Sequence, residues 1–562
     1  MTAQEKRSFL HGAGILAAAG VIIKIIGACF RIPLGNLIGD EGMGYYSLAY
    51  PIYTILVVIA TTGIPIAVSR LVAERMVERD PEGAHRVFRV TLAVMLLVGL
   101  AFFAALFFGA DLIVLVNNRF QGAIPAIRAI APALIFVPVM SVFRGYFQGM
   151  HDMRPTALSQ IIEQLFRVVA GLACAFLLVD FGLEYAAAGG TFGATAGGIA
   201  GVVFMIVIYN KRRRRGALKL DGGEGGGAPR PREGTSSILR KLVVIALPIT
   251  LGASIMPLMW NIDALVVPPR LVGLGYTTKE AVALYGQLTG FAEPLMNLPK
   301  VLTQAVAISM VPTIVRAWKE KDEPFLHYNV ALGLRFSLLI ALPCATGFMV
   351  LANPILLLLY PAQPEVAASA APVLVIYGVG VVFLSSIDAL TSALQGVGRQ
   401  MVPLQNIAIG AACKLVLTIA LTGLPAWGVK GAAFGTVCAY AVATVLNYRA
   451  VVQYTGTRFD PSLTFVRPIL STLAMGAVCA GVYHLMGAAL PGGEGLGIAA
   501  ALNKDPSVVA NAVCTLVAIL ASAVCYLALL FATKSIEGEE LRQLPKGEKL
   551  YALCKKLRLI KK

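Results

Sequence analysis

The sequence predicts an all-α polytopic membrane protein, and three observations carry that expectation. About fourteen stretches of roughly 20 or more mainly apolar residues follow one another along the 562-residue chain, each long enough to cross a hydrocarbon core about 30 Å thick. Composition agrees, with 57% of residues hydrophobic and only 14% charged, far from the habits of soluble domains. The stretches also fall into two related sets. Lipid offers backbone amides no partners, so each crossing segment has to satisfy them within its own helix.

Taken in order, the spans are expected near 8–36, 43–70, 87–117, 121–148, 155–180, 184–210, 237–268, 280–313, 326–356, 366–394, 402–424, 428–453, 464–486 and 507–533. The start carries Lys6 and Arg7 ahead of an apolar run, in the manner of a signal peptide. That run is too long, contains Lys24 and ends in no small-residue cleavage pattern, so it reads as an uncleaved first span. An even number of spans puts both termini on one side. Most of the 47 Lys and Arg lie on alternate loops and the two ends, above all in Lys211–Arg215, between Arg70 and Arg89, and in the C-terminal tail. The positive-inside rule then places both termini in the cytoplasm. The net charge of +17 is thus a topology signal, and nucleic acid is not expected as a partner.

Between spans six and seven lies GALKLDGGEGGGAPRPREGTSS, the composition of a flexible linker. It divides an N-lobe at 1–210 from a C-lobe at 237–456, with the basic, Gly-rich linker at 211–236, two extra helices within 457–533 and a basic amphipathic tail at 534–562. The lobes resemble each other. Gln148-Gly149 recurs as Gln395-Gly396, Pro155 as Pro403, and Arg167 is matched by Lys414 at the same 247-residue offset as the Gln-Gly pair. GGTFG at Gly189–Gly193 is echoed by GAAFG at Gly431–Gly435. Two six-span copies enter the membrane in the same sense, so they are expected to be related by a pseudo-two-fold axis along the membrane normal, with halves that rock about a central site.

Function is therefore sought among polar residues inside the spans. Lys24 and Arg31 stand seven residues apart in the first span, on one helical stripe with Gly27 between them. Two cations on one stripe suit an anion, because burying a charge at mid-bilayer costs at least about 2.5 kcal/mol and has to be offset by water or a partner. Snorkelling of Arg31 and pairing of Lys24 is the plainer alternative. Span seven contains Asn261, which with Lys300 of span eight joins Lys24 and Arg31 as a candidate substrate contact, and Asp263. Span eight carries Glu293 and Lys300 with Pro294 and Pro299 between them, where proline permits a bend. Pro65 offers a matching kink in span two. Asp263 and Glu293 suit either ion coupling or charge pairing, and Glu163, Arg167, Asp388 and Lys414 read chiefly as structural ion pairs.

No catalytic constellation is present: the five histidines are scattered, and no HExxH, GxSxG or P-loop pattern occurs. The chain is not expected to be an enzyme, nor to bind a metal or other cofactor. Eight of the nine cysteines lie in spans without CxxC or Cys/His spacing. Energy for transport would come from a Na+ or H+ gradient, the membrane potential or the substrate's own gradient.

The first two spans (IIKIIGACFRIPLGNLIGDEGMGYYSLAYPIY onward), WNIDALVVPPRL, the PLMNLPK helix and the repeated QG…P element resemble the polysaccharide-transporter branch of the multidrug/oligosaccharidyl-lipid/polysaccharide (MOP) flippase superfamily, nearest the stage V sporulation protein B group and the similar MurJ-type lipid II flippases. The resemblance covers essentially the whole chain. It implies an alternating-access transporter that moves an undecaprenyl-pyrophosphate-linked saccharide, a lipid II-like peptidoglycan precursor, to the outer leaflet during cell-wall building or sporulation. The first-span cations that such proteins place near the pyrophosphate correspond to Lys24 and Arg31. Arginines of the MurJ type in spans two and eight have no clear counterpart; span eight offers Glu293, Pro294 and Lys300 instead. Readings left open are a flippase for another polyprenyl-linked repeat unit, a MATE-like ion-coupled drug exporter, and a scaffold whose partners are cell-wall synthesis proteins. In the tail, Leu550, Leu553, Leu557 and Ile560 form one stripe with lysines opposite, suited to anionic membrane lipids.

Overall fold

The computed structural model describes residues 3–116, 120–214, 233–489 and 506–535, with the side chains of residues 3–18, 21, 24, 25, 28, 115, 116, 506 and 507 outside the described set. All regular structure among these residues is helical. Thirteen runs are long and apolar enough to cross a membrane, against the fourteen or so expected. The difference lies in the first two spans, which fall partly in one run, Cys29–Val77. Within α1 (Ala3–Thr61) they meet at Gly39, whose φ of 65° and ψ of −166° suit a residue without Cβ. Most of the expected linker, 215–232, and the expected amphipathic tail beyond 535 lie outside the described residues.

The chain forms two compact units, Met1–Gly286 and Gln287–Lys562. The helices that follow the linker, up to residue 286, therefore belong with the first unit. That unit comprises α1, α2 (Gly63–Val77), α3 (Pro81–Phe108), α4 (Ala110–Val116), α5 (Ile124–Ile130), α6 (Ala133–Gly149), α7 (Arg154–Leu178), α8 (Leu183–Arg214), α9 (Thr235–Ala253), α10 (Ile255–Gly273) and α11 (Thr278–Gly286). Large apolar side chains such as Leu97, Phe176 and Leu177 stay about two-thirds exposed, as a lipid-facing surface requires.

Glycines set the closest helix pair in this unit. A Cβ on Gly189, Gly193 or Gly197 of α8 would lie 2.6, 2.3 or 2.5 Å from backbone atoms of α7, at Ala175 N, Arg167 O and Glu163 O respectively. With no hydrophobic drive between helices in lipid, such small-residue stripes are how backbones come close. Elsewhere proline leaves work for side chains. Pro51 has no N–H for the Ser47 carbonyl, and the Tyr285 hydroxyl reaches that oxygen at 3.3 Å instead.

The second unit opens on a π-helical turn, Gln287–Ala292, and continues through α12 (Glu293–Glu320), α13 (Glu323–Val350), α14 (Ala352–Leu359), α15 (Pro364–Gly396), α16 (Met401–Thr422), α17 (Val429–Thr455), a π turn at Ser462–Val466, α18 (Arg467–Ala489) and α19 (Pro506–Ala532). Leu334, Leu338, Leu390, Leu394 and Val451 lie at the heart of a core shared by α13, α15 and α17. Of the two extra helices, α19 is tied by polar contacts: Tyr526 donates to the Leu339 carbonyl of α13 at 2.9 Å, and Asn511 donates to the Pro354 carbonyl of α14 at 3.1 Å.

The sequence repeat is visible in local geometry. Gln148-Gly149 ends α6 and Gln395-Gly396 ends α15. The next turns each contain one left-handed residue, His151 (φ 58°) and Gly398 (φ 80°), at the same 247-residue offset. A glycine-mediated pair then follows in both, α7 with α8 and α16 with α17.

Candidate functional site

The charged centre of the first unit is assembled on α7. Its residues Glu163 and Arg167 are one turn apart, and Gly197 and Gly193 of α8 pack against their carbonyls. Glu163 accepts from Arg144 of α6 at 2.9 Å through one carboxylate oxygen and from Arg167 at 3.0 Å through the other. Arg144 also donates through Nε to Ser159 at 3.0 Å. Arg167 donates through a terminal nitrogen to the Tyr50 hydroxyl at 3.2 Å, whereas its buried Nε has no hydrogen-bond partner among the described residues. The three charged side chains keep 14–18% of their surface accessible. Two guanidinium groups thus share one carboxylate, leaving one unit of positive charge near the middle of the 25-residue α7.

α1 borders this cluster. Tyr46 and Tyr50 stack with centroids 5.4 Å apart, Tyr53 continues the row at 5.9 Å, and the Tyr46 hydroxyl feels the charges of both Arg31 and Arg167. Arg31 is half-buried. Gly27 faces α7, because a Cβ there would sit 3.3 Å from the Gln164 amide nitrogen. The Lys24 backbone is helical, and its side chain lies outside the described residues.

The remaining expected residues divide between the units. Asn261 is buried in the first unit and donates to the carbonyls of Pro51 and Pro257, both at 2.9 Å, so its two amide hydrogens fasten α10 to α1. Asp263 is buried two residues further on, 4% exposed. Pro65 lies three residues beyond Thr62, where α1 gives way to α2, and Gly145 of α6 packs on its backbone. In the second unit Glu293 and Pro294 begin α12, while Pro299 and Lys300 lie inside it. The backbone irregularity of that region falls just ahead of the prolines, in the buried π turn at Gln287–Ala292, where Ser369 donates to Gln287 at 2.8 Å. Lys414 and Asp388 are also in this unit, and Lys414 is 1% exposed. Among the described residues no group of three His, Cys, Asp or Glu stands close enough to hold a metal ion.

Sequence reasoning named Glu163 and Arg167 and left out Arg144 and Tyr50. Arg144 stands near the end of its span and looks like a boundary cation. Its partner lies 19 residues away on the next helix, a pairing that helical periodicity on one segment does not reveal.

Residues 9–318, more than half of the chain, match the family described as polysaccharide biosynthesis protein. The chain belongs to that family. Stage V sporulation protein B of Bacillus subtilis (strain 168) is 28% identical over 547 residues, covering 96% of this chain and 98% of the relative. The lipid II flippase MurJ of the same organism is 26% identical over 469 residues, covering 80% and 83%. Among solved structures, lipid II flippase MurJ in an inward closed conformation matches with a TM-score of 0.65 at 14% identity, over 92% of this chain and 97% of that one. The fold is thus the MurJ-like fold that the resemblance to the MOP superfamily implies.

Proposed function

We propose that this member of the polysaccharide biosynthesis family is a flippase that carries a polyprenyl-diphosphate-linked saccharide, of the lipid II type, from the inner to the outer leaflet by alternating access. One observation supports the reading above others: a surplus of positive charge, built from Arg144, Glu163 and Arg167, sits halfway along a spanning helix beside the helix that carries Lys24 and Arg31. A drug exporter for cations has no use for such a surplus. A diphosphate, which cannot cross hydrocarbon unaided, does. In this reading Lys24 and Arg31 meet the diphosphate, Asn261 keeps α10 in register with α1, and within the second unit Lys300 of α12 is a further cation for the substrate. Asp263 and Glu293 carry the coupling cation or proton, or answer to the membrane potential. Gly27, Pro65, Pro294 and Pro299 permit the helices to bend during turnover. The protein makes and breaks no covalent bond, and both termini face the cytoplasm.

The test has two parts. Lys24→Ala and Arg31→Ala are expected to abolish rescue of a bacterium depleted of its lipid II flippase while leaving the protein in the membrane; full rescue by both removes the transport assignment. Purified protein in liposomes is expected to move fluorescent lipid II faster than a teichoic-type or capsule-type repeat on the same carrier, and the reverse order reassigns the saccharide.

A further inference from the structure

Arg167 is held in a way that a purely structural ion pair does not require. A structural arginine at mid-bilayer is best served by its own carboxylate and by sealing from all solvent. Among the described residues the one carboxylate in contact is divided between Arg144 and Arg167, and the second anchor of Arg167 is a neutral phenol, Tyr50. Arg144 is the better satisfied of the two, through Glu163, Ser159 and the Met140 sulfur, whereas Arg167 retains an Nε–H without a partner among these residues. Its planar fork is locked by Glu163 on one side and Tyr50 on the other, which removes most of the rotamer entropy that a charged side chain normally loses on binding. Its side chain also remains 18% accessible inside the unit, and its charge reaches the same Tyr46 hydroxyl that Arg31 does.

We propose that Arg167 is a further anion-binding residue of the transport pathway, prepositioned by Glu163 and Tyr50 to take one phosphate of the substrate's diphosphate. This deepens the flippase reading above and rests on it. The charge balance suits the assignment. Each phosphate of a diphosphate diester carries one negative charge, and the Arg144–Glu163–Arg167 cluster carries one uncompensated positive charge. Glu163 then has a double duty: it aims the guanidinium and limits the surplus to one, so that the site recognises a phosphate without holding it too tightly to release. Tyr50 contributes aim and no charge.

The consequence is a preference between two probes that differ by one phosphate. Full-length protein in nanodiscs, titrated with undecaprenyl diphosphate and with undecaprenyl phosphate, is expected to favour the diphosphate. Arg167→Gln is expected to weaken the diphosphate about tenfold and to erase most of the preference, since a lost charge-assisted contact is worth about one decade in affinity or more. Glu163→Gln raises the surplus from one charge to two and is expected to tighten diphosphate binding several-fold at low salt, with a steeper salt dependence. A structural role for the cluster gives the opposite sign for Glu163→Gln, because breaking the pairs loosens the unit. Arg167→Lys keeps the charge and loses the fork, so it is expected to fall between wild type and Arg167→Gln. Should Arg167→Gln fail to fold, the sign of the Glu163→Gln effect alone decides. If wild type prefers the diphosphate and Arg31→Gln abolishes that preference, but neither Arg167→Gln nor Glu163→Gln moves it, this inference is overturned and the flippase reading survives. If wild type shows no preference at all, both fall together.

Discussion

Arg167 and Lys414 occupy equivalent positions in two copies of one helical motif, and their surroundings have diverged. In both copies a helix ends at Gln-Gly, a left-handed residue turns the chain, and the next helix packs on its successor through glycines. In the first copy the crossing near Glu163 is made by Gly197 on α8, so α7 is free to carry a carboxylate there. In the second copy the glycine is Gly410 on α16, whose Cβ would lie 2.6 Å from the Ala439 carbonyl, and the position offset by 247 from Glu163 therefore has no side chain. Thr391 replaces Arg144 at that offset. The first copy consequently holds an accessible three-membered charge cluster, while the second holds a lysine that is 1% exposed above Thr418 and Thr422, both at 0%. The two motifs share these local features, and which helix carries the crossing glycine decides where polar chemistry has room.

The strongest way to break this comparison is to remove the crossing itself. Gly193→Leu places bulk where even a Cβ would be 2.3 Å from the Arg167 carbonyl oxygen, so α8 has to leave α7. The expected cost is about 3 kcal/mol or more, with loss of the folded monomer in detergent by thermal unfolding. The counterpart Gly435→Ala meets the Thr418 hydroxyl at 3.0 Å, a contact a side chain can relax, and is expected to cost about 1 kcal/mol. Gly193→Ala costing no more than Gly435→Ala would mean that the two pairs are not packed differently.

Next in size is the contrast between the two cations. Lys414→Met is expected to lower the melting temperature by several degrees, because the groups around a sealed ammonium are arranged for a charge, and to leave diphosphate binding within about twofold. Arg167→Met is expected to do the reverse, with the larger effect on binding. A Lys414 variant that folds normally and fails to bind diphosphate would place the second copy in the transport pathway as well.

Much of this was legible in the sequence, and the reasons differ by element. Span existence follows from length and apolarity alone, so the helices of both units fall where the apolar stretches put them. Gln-Gly, the Pro after it and the small-residue cluster stand out in the sequence because each answers a local need, a helix end, a turn or a close helix crossing. Three features were not readable. Gly39 joins the first two spans without an intervening loop, which depends on one backbone conformation. The helical irregularity at Gln287–Ala292 precedes Pro294 and Pro299, because a π turn is a matter of hydrogen-bond register and not of residue type. Asn261 stood out as a polar residue in a span, yet both its amide hydrogens are spent on the carbonyls of Pro51 and Pro257.

The smallest effect is expected where the same chemistry lies outside the spans. Glu233, just ahead of α9, contacts Arg75 near the end of α2 and Lys241 at 2.6 Å, and accepts from Ser237; with Glu78, Leu71, Val87 and Ile238 these groups line a cavity of about 110 Å³. The Lys241 ammonium and the Ser237 hydroxyl, with help from Arg75, pull the Glu233 carboxyl from its ordinary 4.5 down to about 2. A carboxyl depressed by folding stabilises the folded form fully above its ordinary range and loses that contribution as pH falls toward the depressed value. The tie between α2 and α9 is therefore expected to hold from neutral pH to about 4.5 and to weaken between there and about 2. Since Lys241 is half exposed, Glu233→Gln at neutral pH is expected to cost no more than about 1 kcal/mol, and less in high salt. Cross-linking of Arg75→Cys with Lys241→Cys cannot report on this, because it removes the charges in question. Melting curves of wild type and Glu233→Gln between pH 3 and 7 can: the two are expected to converge at the acid end, and curves that stay parallel would show that Glu233 contributes nothing to holding α9 on α2.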